Sequence, residues 1–201
     1  MEKGVVLPLF YLPPIEFFKQ LIDNKGKTII IEKHEHFPKQ TYRNRATVYG
    51  PNGKLNLIVP VLKGSKMHTS MKDVKISYDA DWQRLHWLSL QTSYRSSAYF
   101  EFYEDDFAPF YEKKFEYLFD FNLELLTLLL KQLKLNINLE FSKSYETDYE
   151  QDFRDTIHPK KESNYKPVKY FQVFEDKYDF MPNLSIVDLL FNQGPQSAKY
   201  I

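Results

Sequence analysis

An α+β fold, or alternatively a mixed α/β one, is predicted for this chain: helices packed around a mixed sheet with a β-hairpin at its centre. Three observations predict it. Polar and apolar residues alternate on both sides of Gly50-Pro51-Asn52-Gly53 in KQTYRNRATVYGPNGKLNLIVPV, the mark of two strands joined by a turn. Three successive isoleucines between Thr28 and Glu32 suit a strand covered on both faces. Long apolar stretches at helical spacing fill the middle and the end of the chain. With 201 residues, 43% of them hydrophobic, the chain has enough material for one domain over 1–201 with a full core.

Taken in order, Val5 to Leu9 is a strand ended by a proline pair, and Ile15 to Asp23 is a helix whose first turn tolerates Pro14. Thr28 to Glu32 is the buried strand. In the hairpin, Thr41, Arg43, Arg45, Thr47 and Tyr49 fall on one face and Tyr42, Asn44, Ala46 and Val48 on the other. Leu55, Leu57, Val59 and Val61 form the returning apolar face. A polar loop, Lys63 to Lys66, leads to a third sheet member at Val74 to Tyr78. Trp82 to Ala98 reads as a helix with Trp87, Gln91, Tyr94 and Ala98 on one stripe and His86, Ser89, Ser93 and Ser96 on another. Phe107 to Lys134 holds a helix apolar on nearly every side. Asn136 to Phe141 and Val168 to Phe174 read as strands, separated by a long charged loop over 143–167. Ser185 and Asp188 have the spacing of a capping box at the start of a last helix, which Gly194-Pro195 stops.

Composition removes several functions. Lys plus Arg and Asp plus Glu both total 27, so no long-range field draws the whole molecule to nucleic acid or an anionic membrane. The absence of cysteine removes thiolate catalysis and Cys-based metal centres. Prolines and acidic residues break the apolar N-terminal run, which points to a cytoplasmic protein without a membrane span. Six glycines form no phosphate-cradling loop, and no G-x-S-x-G or H-E-x-x-H pattern occurs.

Four groups of polar residues are candidates for a site. Arg43-Asn44-Arg45 with Gln40 could hold a carboxylate or phosphate, because guanidinium presents a planar donor fork. His86 sits among Trp and Leu, where burial can move its pKa to the working range of a general base. Asp148, Asp152, Asp155 and His158 could converge on Mg²⁺, Mn²⁺ or Zn²⁺, and Pro159 fixes the backbone beside His158 with Lys160 near. His34 and His36, two apart, have no third ligand at suitable spacing. Against each reading stands the plainer one of a solvated or structural side chain.

The segments LPLFYLPPIEFF, KQTYRNRATVYGPNGKLNLIVPV, the Trp82 helix ending in Ser-Ala-Tyr-Phe, DFRDTIHPK, YFQVF and PNLSIVDLLFNQGP together resemble the WbqC-like family of bacterial proteins. The resemblance implies a role in surface-polysaccharide (O-antigen) biosynthesis, with glycine or acyl transfer to an amino sugar as the activity. It implies a small-molecule substrate such as a nucleotide-linked amino sugar. It also makes the polar members of these segments the site: His86, His158 and Lys160 for catalysis, Gln40, Arg43, Asn44, Arg45 and Asp152 for binding. On that reading Arg43→Ala or His158→Ala abolishes transfer and leaves the melting temperature nearly unchanged. The competing expectation is a non-catalytic binding or assembly protein, a homodimer through the Leu-rich helix Phe115 to Leu133. Neither the residues nor the resemblance names a cofactor.

Overall fold

The computed structural model describes residues 4–62 and 69–201; the polar segment Lys63 to Lys66 lies outside them. Helices accompany a parallel sheet and a separate antiparallel hairpin, an α+β arrangement. Four short strands, β1 (Val5–Pro8), β2 (Ile29–Glu32), β5 (Leu139–Phe141) and β6 (Gln151–Asp152), form a sheet of order β5-β2-β1-β6. Every pair in it is parallel, with Val5 opposite Ile29 and Gln151, and Ile29 opposite Leu139. The hairpin, β3 (Arg45–Gly50) with β4 (Gly53–Ile58), forms a second, antiparallel sheet of its own.

Helix α1 (Ile15–Asp23) connects β1 to β2, burying Ile15, Phe17, Phe18 and Leu21 at a period close to 3.6. From β2 the chain runs through the hairpin and the helices α2 (Trp82–Tyr94), α3 (Phe100–Glu112) and α4 (Leu118–Gln132) to β5. It then returns to the other side of β1 as β6. All four strands therefore open their carboxyl ends on one edge, and the strand order reverses between β1 and β6, the place where open parallel sheets bind ligands.

Several expectations are corrected. Val74 to Tyr78 is no sheet strand: Lys75 and Ile76 make single bridges, because Leu62, Glu116 and Leu118 take up its backbone groups one at a time. Helix α2 stops at Tyr94, before Ala98; both the N–H and the Oγ of Ser97 donate to the Tyr94 carbonyl (2.8 and 2.6 Å), a local turn that competes with the helix. Its buried side is Trp82, His86, Leu90, Ser93 and Tyr94, with Gln83 beside them, rather than the stripe through Trp87 and Gln91. Phe107 to Lys134 divides between α3 and α4. Helix α4 keeps an exposed row of Asp120, Glu124, Thr127 and Lys131 and buries Leu118, Leu125, Leu126, Leu129 and Leu130 in the core. None of the described helices is long and apolar enough to cross a membrane.

Val168 to Phe174 forms no strand either. Its Tyr170 and Gln172 turn inward to Asp188 on α6 (Ile186–Gln193), which follows the short α5 (Glu175–Tyr178). The fully buried Asp188 carboxylate accepts from Tyr94 Oη (2.8 Å), Tyr170 Oη (2.6 Å) and Gln172 Nε2 (2.9 Å). It closes no capping box: Ser185 precedes α6, but its Oγ donates to the Leu12 carbonyl at 2.8 Å. After α6, Gly194 sits at φ +52, and a Cβ there would overlap the Tyr99 ring. Gly194→Ala is expected to lower stability by about 2 kcal/mol, strain and overlap together, read from the urea midpoint; an unchanged midpoint would mean that Tyr99 moves aside freely.

Candidate functional site

At the carboxyl edge of the parallel sheet, five charged side chains join the loops that leave its strands. Glu32 ends β2, and its Oε1 accepts from the Ser142 hydroxyl beyond β5 (2.6 Å) and the His34 N–H (2.7 Å). Arg154, two residues past β6, grips Asp152 with Nε and Nη2 (2.9 and 2.5 Å) and reaches Glu32 Oε2 with Nη1 (3.4 Å). Its guanidinium also donates to the Glu146 carbonyl (2.9 Å) and lies over the rings of Tyr145 and Tyr149, holding the charged loop down on the sheet. Arg43 is 1% exposed; it pairs with Glu35 through two parallel bonds (Nε to Oε1, 2.6 Å; Nη2 to Oε2, 2.7 Å) and donates to the Arg154 carbonyl (3.0 Å). Its charge lies over the Phe10 ring, on the loop that leaves β1.

Burial raises the Glu35 carboxyl above its usual range even though Arg43 and its hydrogen bonds act the other way. Burial also acts to raise Asp152, but there the hydrogen bonds from the Arg154 side chain and backbone outweigh it and hold the carboxyl low. Arg154 is held protonated chiefly by Asp152. These charges are matched to one another, which makes them a frame rather than free ligands.

Over this frame lies a more open group. The Lys160 ammonium donates to Gln40 Oε1, and Gln40 sits at φ +62, a conformation that side chains other than glycine rarely adopt. The Lys160 N–H donates to His158 Nδ1 at 3.1 Å, the Lys161 N–H donates to the His158 carbonyl at 3.0 Å, and Lys161 Nζ donates to the Asp155 carbonyl at 2.7 Å. Partial burial and then the Lys161, Lys160 and Arg43 charges lower the His158 pKa, so the ring is neutral at pH 7. With Nδ1 accepting, the neutral ring carries its proton on Nε2 and offers it as a donor.

The chain thus brings Gln40, Arg43, Asp152, His158 and Lys160 to one edge. Arg43 and Arg45 do not share a strand face: β3 begins at Arg45, and residues 39–44 turn so that Arg43 points into the protein. Asn44 spends its Nδ2 on the Val59 carbonyl (2.9 Å). Arg45 stands at the start of the hairpin, its Nε without a partner among the described residues. His86 is in the core, where its Nδ1 meets Tyr11 Oη at 3.0 Å, the Tyr111 hydroxyl stands 3.0 Å from the same oxygen, and Ile58 makes a backbone hydrogen bond to the ring. Burial lowers its pKa to about 4, below the range of a base working at neutral pH. Asp148, Asp152, Asp155 and His158 do not converge on a cation: among the described residues no three His, Asp or Glu side chains form a metal-holding group.

Sequence reasoning missed Glu32, Glu35, Arg154 and Lys161. Glu32 carried a signal, since a glutamate closing an otherwise all-isoleucine strand is buried and must find donors.

The family model described as WbqC-like protein family matches residues 10–165. The chain belongs to the WbqC-like protein family. The WbqC-like match contains the whole charged frame with Gln40, His158 and Lys160 and leaves α6 with Asp188 outside it. An uncharacterised protein of Mycobacterium tuberculosis, Rv1507c, is 28% identical over 111 residues, which is 55% of this WbqC-like chain and 47% of that protein. The chain therefore matches about half the length of this relative. No solved structure matches significantly.

Proposed function

We propose that this WbqC-like chain is a group transferase, passing a glycyl or acyl group to the amine of a nucleotide-linked amino sugar in cytoplasmic steps of bacterial surface-polysaccharide (O-antigen) biosynthesis. The observation that carries the reading is the meeting of Gln40, His158 and Lys160 at the carboxyl edge of the parallel sheet, on loops pinned by the Arg43–Glu35 and Arg154–Asp152 pairs. In such a transfer the amine lone pair forms the new N–C bond and the carbonyl oxygen takes up charge. The tetrahedral centre then collapses as the bond to the leaving group breaks. That group keeps the electron pair, and the amine proton passes to it or to water.

In this scheme the His158 Nε2–H faces the developing oxyanion as a preorganised donor, and it is not the base. The test is a mass-spectrometric assay of acylated product with activated acyl and glycyl donors and nucleotide-linked amino sugars. His158→Ala is expected to reduce transfer about 100-fold, the effect of losing one oxyanion donor, with the thermal midpoint retained because the ring is only partly buried. Transfer at the original rate in that variant would remove His158 from the chemistry, and no transfer with any donor would count against a transferase.

A further inference from the structure

We infer that Lys160 and Lys161 form a subsite for a diphosphate group, the part of a nucleotide-linked substrate that carries its charge. This deepens the transferase reading and rests on it. Of the two arginines first expected to hold an anion, Arg43 is committed to Glu35 and Arg45 begins the hairpin strand β3; Arg154, which sequence reasoning missed, is committed to Asp152. The two lysines are differently placed. Four lysines elsewhere in the chain pair with a carboxylate: Lys19 with Asp23, Lys27 with Glu150, Lys75 with Glu116, Lys113 with Glu124. Lys160 and Lys161 instead donate to an amide oxygen and a peptide carbonyl, neutral acceptors that orient the ammonium groups without cancelling their charge.

Three further observations agree. The His158 Nδ1 accepts from the Lys160 N–H, which ties the proposed oxyanion donor and the lysines into one short loop. After burial, the Lys161 and Lys160 charges act to lower the pKa of that ring against the opposing charge of Asp155. The group sits on the loop after β6, beside the reversal of strand order, on the edge where parallel sheets receive phosphorylated ligands. Two positive charges match two adjacent phosphoryl groups better than a single carboxylate.

The experiment is titration calorimetry of the full chain with inorganic pyrophosphate at low ionic strength. Binding is expected, weakening as salt rises. Lys161→Gln and Lys160→Gln are each expected to weaken it about tenfold, and the double variant is expected to abolish it, all with unchanged unliganded melting temperatures since both side chains are exposed. The control is Lys131→Gln on α4, expected to bind as the parent does. Absence of binding by the parent, undiminished binding by the double variant, or equal loss in the Lys131 control overturns the subsite.

The two readings fail separately. A chain that transfers to amino sugars but ignores pyrophosphate loses the subsite and keeps the transferase. A chain that binds pyrophosphate through Lys160 and Lys161 but transfers nothing keeps the subsite and loses the transferase.

Discussion

Replacing Arg43 by methionine is expected to destabilise the fold by about 3–5 kcal/mol, the usual cost of removing one partner of a buried ion pair. The expectation that this arginine serves substrate alone, and can be removed without loss of stability, is therefore reversed. Its guanidinium is 1% exposed, and Glu35, which it satisfies with two bonds, is itself buried and already pushed toward its neutral form. Without Arg43 the carboxylate must protonate or admit water, and the Arg154 carbonyl loses its donor. Urea unfolding of Arg43→Met, Glu35→Met and the double variant reads the effect. The double variant should recover much of the loss, because two apolar side chains leave no stranded charge. If Arg43→Met unfolds at the parent's midpoint, the pair contributes nothing, and the loops it joins must be held by their other contacts.

The second large effect depends on pH and lies in the C-terminal part of the chain. Burial raises the Asp188 carboxyl from 3.8 to about 6, more than its bonds from Tyr170, Tyr94 and Gln172 lower it. Below the unfolded value both states hold the proton. Between 3.8 and about 6 the folded chain keeps a proton that the unfolded chain releases, so this carboxyl's contribution to stability falls as pH rises through that window. The full difference is about 3 kcal/mol for a shift of about two units. Asp188→Asn removes the titration, so the unfolding free energy of the parent minus that of the variant should shrink by this order from about pH 4 to about pH 7. A constant difference would show that the three donors hold Asp188 ionised throughout.

Much of the scaffold was legible in the sequence because its signals are local. The helix Ile15 to Asp23 has the expected limits, the isoleucine run is a buried strand, and the Gly-Pro-Asn-Gly turn joins two antiparallel strands. What local patterns do not carry is partner choice. Alternation placed Arg43 on an open strand face, because nothing in a period-two pattern reveals a glutamate eight residues earlier that turns the side chain inward. Spacing made Ser185 and Asp188 a helix cap, while their real partners, Leu12, Tyr94 and Tyr170, come from distant parts of the chain. The site was legible in half: His158, Lys160 and Gln40 were named, but that a lysine after β6 touches a glutamine before β3 is a property of the parallel topology alone.

The pairing of β1 with β6 joins Val5 and Val6 to Gln151 and Asp152. Closing a loop of about 150 residues costs roughly 4 kcal/mol in chain entropy, and a two-residue ladder returns little of that by itself. The pairing therefore forms late in folding, after α1 and the hairpin have assembled from near neighbours. Until then one edge of the four-residue β1 stands open, with no strand beside Val5 and Val6. During synthesis that interval ends only once residue 152 has left the ribosome, so the half-made chain carries an adhesive edge which the completed protein conceals.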